Sequence, residues 1–382
     1  MNVKKCLVVS SVSSMIGQFI VPDIELLLSM GYDVTVAANF SFGNTFKNTH
    51  AEKLWDTLKG NNVEIYNVKF VRNVFDVRNI VAYKQIKKII NENNYTLVHC
   101  HSPVGGVVTR LAIREKHLIN IRVIYTAHGF HFYKGAPFVN WLFYYPIERW
   151  LSKYTDALIT MNGEDYELAK LKMKAKYIYN VHGVGVDVAK FSISKAGRNK
   201  RAEFNMPMNS TVIISVGELI KRKNHQVAIR AISEIKSNNI YYIICGQGGL
   251  KDYLLELCKK VNMEHCVLFL DYRDDITDLL HMSDVFLFPS LQEGLSVALM
   301  EAMAAGLPCV TSNIRGNVDL IVDKEGGFLC GVNNTVEYKD AIERIIEDKN
   351  LKLKMGEYNR NILKKFDMVT VMKQMKNIYE RK

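Results

Sequence analysis

The sequence predicts an α/β protein made of two consecutive domains, each with a parallel β-sheet covered by helices. The chain has 382 residues, and since a typical domain contains about 150 residues, two domains are expected. Hydrophobic residues make up 48% and charged residues 23% of the chain, as in ordinary globular proteins. Short apolar runs alternate with helical patterns along most of the sequence, which is typical of parallel sheets buried on both faces.

The first domain is predicted to span residues 1–190. The predicted strands are KKCLVVSS, YDVTVAA, VEIYNVKF, TLVHCHS, RVIYTAHG, ALITMN and KYIYNV. Helical periodicity is found between them in FIVPDIELLLSMG, NIVAYKQIKKIINENN, GGVVTRLAIREKH and IERWLSKYTD. Gly31 supplies a stop signal for the first of these helices. Together these segments form repeated β-α-β units.

The second domain is predicted to span residues 211–365, after a basic and polar linker at 191–210 that lacks periodicity. Its predicted strands are TVIISVGE, IYYIICG, VLFLDY, DVFLFPS and PCVTSN. Its predicted helices are NHQVAIRAISEIKSN, KDYLLELCKKVNM, DITDLLHMS and SVALMEAMAAG. A basic helix is expected over about 366–382. This helix could pack back on the first domain. Its charge would suit a membrane-facing tail, but a solvated amphipathic face is expected.

Several classes of protein are disfavoured by composition. No run approaches the roughly 18 apolar residues of a membrane span, and the first residues lack the long apolar core of a signal peptide, so we expect a cytoplasmic protein. The seven cysteines form no CxxC pair, which argues against disulfides and structural zinc.

The charge distribution indicates an anionic partner. The net charge is +11, with +8 in residues 1–190 and +3 in the remainder. A basic excess suits nucleic acid, a phosphorylated metabolite or an acidic membrane surface. Because the sequence has no zinc-finger spacing, no RNP-like motif and no Lys/Arg block, nucleic acid is the least favoured of these partners.

The most informative segment is DVFLFPSLQEGLSVALMEAMAAGLPCVTSN, residues 284–313. A buried strand ends near Ser290, and a helix is predicted to begin at Leu295 or Ser296. The backbone amides of Gly294, Leu295, Ser296 and Val297 are then free to bind an anion at the helix start. Glu301 lies about 7.5 Å further along the helix axis. It stands in an apolar run, where a buried carboxylate needs a partner.

This segment carries the spacing E-x7-E, as EGLSVALME, and resembles the signature of retaining glycosyltransferases of family 4. Similar segments follow the family's order along nearly the whole chain: LVHCHSPVGGVVTRLA, TDALITMN, VHGVGVDVAKF, SVGELIKRKNH and ICGQGGL. The likeness is strongest to enzymes of bacterial capsule, exopolysaccharide and O-antigen synthesis. It implies the GT-B fold, in which two Rossmann-like parallel-sheet domains face each other across a cleft.

The resemblance implies a retaining, metal-independent transfer from a nucleoside diphosphate sugar, with no cofactor. Fixed cations and amides would stabilise the leaving diphosphate. We therefore expect Arg222 and Lys223 to bind the diphosphate, Glu293 to contact the sugar and Glu301 to hold the ribose hydroxyls. The amides of residues 294–297 would bind the phosphate or the sugar. The family often has Arg where this chain has Glu218, so either Arg222 or Lys221 must supply the lost charge.

In the first domain, the resemblance implicates a glycine and a histidine that follow strands. Gly17 would lie in a loop against the donor phosphate, and His128 would contact the transferred sugar or position the acceptor. His131 is the weaker candidate. His99 and His101 are expected to point to opposite faces of a strand and to lack a third metal ligand, so no metal site is predicted.

The stretch APFVNWLFYYPIERWLSKY, residues 136–154, mixes aromatic and basic side chains. Such a mixture suits either weak contact with a membrane surface or packing in the domain core. With the basic first half and the lack of an export signal, it leads us to expect a lipid-linked saccharide as acceptor, at the inner face of the cytoplasmic membrane. The resemblance to the bacterial surface-polysaccharide enzymes implies that the lipid carrier is undecaprenyl diphosphate. The donor expected by resemblance is a UDP-hexose or UDP-N-acetylhexosamine, and GDP-mannose is the second choice. A UDP-sugar 2-epimerase and a non-catalytic nucleotide-sugar-binding protein stay open as alternatives.

Overall fold

The computed structural model describes residues 4–43, 48–115, 121–194, 196–237 and 239–381. The chain forms two compact units. The first comprises Met1–Val184 together with Val371–Lys382, and the second comprises Gly185–Thr370. The last two residues of the predicted helix GGVVTRLAIREKH lie outside the described residues.

The first unit contains a seven-stranded sheet, in which all strand pairs are parallel. Its strands are β1 Lys4–Val12, β2 Tyr32–Asn39, β3 Glu64–Asn67, β4 Tyr95–His101, β5 Arg122–Ala127, β6 Ala157–Thr160 and β7 Tyr177–Asn180. Its helices are α1 Ser13–Met15, the π-helical turn Ile16–Ile20, α2 Val21–Ser29, α3 Asn48–Gly60, α4 Asn79–Glu92, α5 Pro103–Ile113, α6 Phe138–Leu151, the 3₁₀ turn Ser152–Tyr154 and α7 Gly163–Lys172.

The second unit contains a six-stranded sheet that is also parallel. Its strands are β8 Thr211–Val216, β9 Ile240–Cys245, β10 Val267–Asp271, β11 Val285–Phe288, β12 Cys309–Ser312 and β13 Gly327–Cys330. Its helices are α8 Val188–Ser192, α9 His225–Ser233, α10 Lys251–Lys260, α11 Ile276–Met282, α12 Val297–Ala304, α13 Thr335–Glu347 and α14 Lys349–Leu363, with 3₁₀ helices at Gly197–Phe204, Lys221–Lys223 and Lys364–Phe366. The last helix, α15 Met368–Glu380, returns the chain to the first unit.

Both sheets are doubly wound. The strand orders are 3-2-1-4-5-6-7 and 10-9-8-11-12-13. Each sheet is built outward from its centre in two directions, so β1 and β4 meet at one switch point and β8 and β11 at the other. Because helices cover both faces, strand residues such as Leu7, Val8, Ile213 and Ile214 are fully buried. The α/β prediction with two parallel sheets is confirmed.

The segment predicted as a linker is instead folded against the second unit. Residues 197–204 form a 3₁₀ helix, and Arg201 within it is 1% exposed. The Arg201 guanidinium donates to the Met282 carbonyl oxygen at 2.7 Å and to Asp284 Oδ2 at 2.8 Å. The polar composition of this segment therefore did not indicate a solvated linker, because Arg201 is buried with a carboxylate partner.

The helix α15 is held to the first sheet by polar contacts near its end. The Arg122 guanidinium donates to the carbonyl oxygens of Ile378 and Tyr379 at 2.5 and 2.8 Å. These carbonyls lie in the last turn of α15, where backbone acceptors lack partners within the helix and a cation is favourable. The Tyr379 hydroxyl reaches His99 Nδ1 at 2.8 Å.

Candidate functional site

The candidate site of the second unit lies at the switch point between β8 and β11. In doubly wound sheets, ligands bind outside the carboxyl ends of strands at such a point. The loop after β8 leads to the turn Lys221–Lys223, and the loop after β11 leads to the start of α12. The two loops are joined by a hydrogen bond from the Leu291 amide to the Arg222 carbonyl oxygen at 2.8 Å.

Both predicted cations, Arg222 and Lys223, contact the same carboxylate oxygen of Glu293. Lys223 Nζ and Arg222 Nη1 each lie 2.8 Å from Glu293 Oε1. Arg222 Nη1 also donates to the Gln292 carbonyl oxygen at 3.1 Å. The Lys223 side chain is 10% and the Glu293 side chain 9% exposed, whereas that of Arg222 is 37% exposed. Arg222 is therefore the cation that keeps most access to a ligand.

Burial and charge oppose each other at Glu293. Burial raises the pKa of this carboxyl, but Lys223 and Arg222 outweigh that effect and hold the pKa below its ordinary value. Burial lowers the pKa of Lys223, while the Glu293 carboxylate opposes the shift. The Lys223 ammonium lies 4.5 Å from the centre of the Phe288 ring, a favourable arrangement for a cation.

Glu218 lies beside the two cations without entering the buried pair. Its Oε2 atom is 3.8 Å from Arg222 Nη2, and its side chain is 49% exposed. The structure thus gives Arg222 two carboxylate neighbours, Glu218 and Glu293. An exposed pair of this kind is worth about 0–1 kcal/mol, so Glu218 holds Arg222 only weakly.

Of the residues predicted to offer backbone amides, Gly294, Leu295 and Ser296 lie just before α12, and Val297 is its first residue. Ser296 is the N-cap residue, and its hydroxyl oxygen accepts from the Leu299 amide at 3.3 Å. Within the described part of the chain, the amides of Gly294, Leu295 and Ser296 donate no hydrogen bond. Arg315, which sequence reasoning missed, donates from Nε to the Glu293 carbonyl oxygen at 3.3 Å.

Glu301 lies on α12 and is half-buried. Burial raises its pKa to about 7, while nearby Lys190 lowers it. Lys190 follows the N-cap of α8, where Asp187 accepts from its amide at 2.9 Å. Sequence reasoning did not assign Lys190, although it lies in the segment VHGVGVDVAKF that resembles the family.

In the first unit, the predicted histidine His128 follows β5 and is half-buried. Its Nε2 atom lies 3.3 Å from His101 Nδ1, and burial lowers its pKa to about 4. His131 instead stacks on Tyr144, with 4.6 Å between the ring centres. The structure thus brings His128 into contact with a second histidine.

The prediction for His99 and His101 was wrong in two respects. Their rings lie 4.0 Å apart on one face of β4, because side chains two residues apart on a strand share a face. A third potential ligand is also present. A carboxylate oxygen of Asp23 lies within 4.8 Å of a ring nitrogen of each histidine. No sequence spacing could show this, because α2 brings Asp23 from a distant part of the chain.

This group is not assigned as a metal centre. His99 Nδ1 is bonded to the Tyr379 hydroxyl and His99 Nε2 to Thr126 Oγ1, each at 2.8 Å. A metal bound to either nitrogen of His99 would have to displace one of these hydrogen bonds. Among the described residues, Asp23, His99 and His101 are the group with metal-ligand spacing. Metal independence therefore stays a prediction.

Gly17 was predicted to lie in a loop, and this was wrong. It belongs to the π-helical turn Ile16–Ile20, which runs from α1 into α2. The apolar side chains of Ile16 and Ile20 are fully buried, so helical packing fixes this segment directly after β1. Gly17 itself is exposed.

The aromatic stretch 136–154 divides between core and surface. Trp141, Tyr144 and Tyr145 pack against the buried cluster of the first unit. The exposed apolar side chains of α6 are Phe138, Val139, Leu142, Phe143 and Trp150. Within the described residues, no helix has the length and hydropathy needed to cross a membrane.

Two doubly wound parallel sheets, with cations and open amides at the switch point of the second, define the class of α/β protein to which the chain belongs. Comparison of the sequence with known protein families identifies this class more narrowly. Residues 197–362 match the family Glycosyl transferases group 1, and residues 24–162 match Glycosyl transferase 4-like. The chain is 34% identical over 381 residues to EpsD of Bacillus subtilis, which is named as a glycosyltransferase, covering 98% of this chain and 96% of that protein. The protein belongs to this glycosyltransferase family and is a transferase.

Other relatives agree with this assignment. The UDP-Gal:alpha-D-GlcNAc-diphosphoundecaprenol alpha-1,3-galactosyltransferase of Escherichia coli is 32% identical over 321 residues, covering 81% of each chain. Among solved structures, Anabaena HepE in complex with UDP and glucose has a TM-score of 0.79 at 18% identity, with 98% of this chain and 99% of that chain covered. WaaG, a glycosyltransferase involved in lipopolysaccharide biosynthesis, has a TM-score of 0.73 at 16% identity, with 99% and 100% covered. The fold is therefore GT-B.

Proposed function

We propose that this glycosyltransferase moves a hexose or N-acetylhexosamine from a UDP-sugar to a lipid-linked saccharide, with retention and without a metal. The observation that carries the proposal is the arrangement of Arg222, Lys223 and Glu293 beside the open amides at the start of α12. A diphosphate leaving group gains negative charge during transfer, and cations with open amides stabilise such charge.

Each residue then has a defined task. Arg222 binds the diphosphate, because it is the more exposed cation. Lys223 supplies a second, buried positive charge and fixes the Glu293 carboxylate, which contacts sugar hydroxyls. Glu301 accepts hydrogen bonds from the ribose hydroxyls in its ionised form.

The lipid-linked acceptor is proposed from two independent supports. The Escherichia coli relative is named for an undecaprenol diphosphate acceptor, and a Campylobacter jejuni relative, 32% identical over 173 residues, for a diphospho-undecaprenol acceptor. In this chain, α6 exposes Phe138, Leu142 and Phe143, with exposed Arg149 in its last turn. Aromatic and basic side chains on one exposed helix suit weak contact with an anionic membrane surface. We propose that this contact lies at the inner face of the cytoplasmic membrane.

The test is a donor panel of UDP- and GDP-sugars, assayed with a lipid-linked saccharide, with its soluble analogue and without acceptor. Free UDP and a new α-linked product, formed only with acceptor and unaffected by EDTA, are expected. Release of GDP from GDP-mannose would favour the mannosyltransferase alternative. Interconversion of the sugar without acceptor would indicate an epimerase, and binding without turnover would indicate a non-catalytic protein. A strict requirement for Mg²⁺ or Mn²⁺ would contradict the metal-free mechanism.

A further inference from the structure

A row of buried polar side chains crosses one face of the first sheet next to His128. It comprises Asp23 on α2, His99 and His101 on β4, Thr126 on β5 and Tyr379 on α15. Each of these residues is at most 8% exposed. Burying polar groups costs free energy unless they are hydrogen-bonded. Apolar residues at these positions would stabilise the fold without that cost.

The contact between His101 and His128 links the tautomeric states of the two imidazole rings. Burial lowers the pKa of His101 well below its ordinary value and that of His128 to about 4, so both rings are neutral near pH 7. A neutral imidazole has one donor and one acceptor nitrogen. Because His101 Nδ1 faces His128 Nε2 at 3.3 Å, only one of these two nitrogens carries hydrogen. The tautomer of one ring therefore fixes the tautomer of the other.

Asp23 lies at the other end of this pair. A carboxylate oxygen of Asp23 lies within 4.8 Å of a ring nitrogen of His101, a span that a single water can bridge. Asp23 Oδ1 and His101 Nε2 are both buried and, among the described residues, make no hydrogen bond. Each of these two atoms can therefore take part in a hydrogen bond to a water that bridges them.

The groups around Asp23 leave its proton near the neutral range. Burial raises the pKa of Asp23 to about 7, and a hydrogen bond from Tyr379 opposes this shift. The neighbouring groups are the Cys6 thiol on β1, His99 and His101 on β4, and Tyr379 on α15. Arg122 on β5 is a nearby cation that acts on Tyr379 and His99.

We propose that Asp23 is a positioning residue that sets the tautomer of His128 through His101. When Asp23 is ionised, His101 Nε2–H donates to the carboxylate through one bridging water, and His101 Nδ1 accepts from His128 Nε2–H. His128 Nδ1 then presents a lone pair to a substrate hydroxyl. When Asp23 is protonated, it donates through the same water to His101 Nε2, His101 Nδ1–H donates to His128 Nε2, and His128 Nδ1 carries hydrogen.

One proton separates the two states. A proton that arrives at His128 Nδ1 releases the Nε2 proton to His101 Nδ1. The bridging water then takes the His101 Nε2 proton and gives one of its own to Asp23. No group other than solvent or a substrate hydroxyl is needed as proton donor. The role of the His128 lone pair towards an acceptor hydroxyl rests on the proposed function, whereas the coupling of the three side chains does not.

The test is ¹⁵N NMR of protein labelled in the histidine rings, between pH 5.5 and 8.5, with the His128 signals assigned from His128→Gln. We expect His128 Nδ1 to change from the unprotonated to the protonated chemical-shift range as pH falls through about 7. The change should disappear in Asp23→Asn and His101→Phe. It should persist in the control Asp33→Asn, an exposed carboxylate of the same unit.

A His128 tautomer that stays constant in the unaltered protein over this pH range would overturn the proposal. An unchanged titration in folded Asp23→Asn would also overturn it. If the protein transfers sugar, the limb of the kcat profile near pH 7 should vanish in Asp23→Asn while KM for the donor changes less than threefold. If it transfers none, the NMR titration still decides the coupling, so this inference and the proposed function fail separately.

Discussion

Lys223 Nζ lies 2.8 Å from Glu293 Oε1, and both side chains are about nine-tenths buried. The two partners differ in their number of charged neighbours, because Glu293 Oε1 also accepts from Arg222. This is the asymmetry of the pair. Glu293→Gln should lower the free energy of unfolding by about 3–5 kcal/mol, since it leaves the Lys223 ammonium buried without a carboxylate. Lys223→Met should cost less, about 2 kcal/mol, because Arg222 still neutralises Glu293. Urea unfolding of both variants measures this, and an equal or larger loss in Lys223→Met would contradict the asymmetry.

The second prediction concerns the rate of transfer. Lys223→Ala should lower kcat by about two orders of magnitude, the usual effect of removing one electrostatic stabiliser of developing charge. The matched control is Lys259→Ala, which removes an exposed lysine near the end of α10 and should leave kcat unchanged. Circular dichroism must show that both variants are folded. A loss below threefold in folded Lys223→Ala would exclude a role for this ammonium in stabilising the leaving group.

The third prediction concerns pH and Glu301, whose pKa burial raises to about 7. If the carboxylate accepts from ribose hydroxyls, UDP affinity should fall as pH decreases below 7. Glu301→Gln should weaken UDP binding at pH 8 by about 1–3 kcal/mol and remove the pH dependence. Calorimetric titration between pH 5.5 and 8.5 measures both effects. The control is Glu256→Gln, which changes an exposed carboxylate on α10. Equal affinity of the two variants at pH 8 would remove Glu301 from the ribose site.

The raised pKa of Glu301 also fixes the sign of its effect on stability. The folded state binds this proton up to about pH 7, whereas the unfolded chain releases it near its ordinary value of about 4.3. Stability therefore falls as pH rises from about 4 to 7 and levels off above 7. Thermal unfolding at pH 8 should show Glu301→Gln to be at least as stable as the unaltered protein.

The sequence predicted those parts of the fold that depend on local patterns. The buried strands β1, β4, β8 and β11 each contain a short apolar run, and Ser296 caps α12 within one residue of the expected start. By contrast, α3 and α13 were missed, because their buried residues are spaced among many charged ones. The buried positions of α13 are Tyr338, Ala341, Ile342 and Ile345, a helical spacing that could have been found.

The site was predictable where strand ends and helix starts define it. Arg222, Lys223 and Glu293 follow two strands, and their meeting at one carboxylate oxygen agrees with the rule for doubly wound sheets. Contacts between distant segments were not predictable. Asp23, His99 and Tyr379 come together only because α2 and α15 pack on the same face of the first sheet. Nothing in their local sequence signals that arrangement.

The last prediction concerns the exposed face of α6, formed by Phe138, Leu142, Phe143 and Arg149. The protein should sediment partly with anionic liposomes at low salt and be released at high salt. Each basic residue near an anionic surface contributes about 1 kcal/mol, and salt screens this attraction. Vesicles of neutral lipid should retain less protein. The exposed aromatic rings then add apolar contact area that is insensitive to salt.

The double variant Phe138→Ser and Phe143→Ser separates this aromatic contribution from the charge. It should reduce liposome binding by about tenfold or more, since burying each ring contributes about 1.5–3 kcal/mol when complete. Leu353→Ser, which removes an exposed apolar side chain of the second unit, is the matched control and should bind as the unaltered protein does. If the protein ignores liposomes at every salt concentration, and uses a soluble saccharide as well as its lipid-linked form, the exposed face of α6 has no membrane role. A lipid-linked acceptor would then have no support from this chain's own surface.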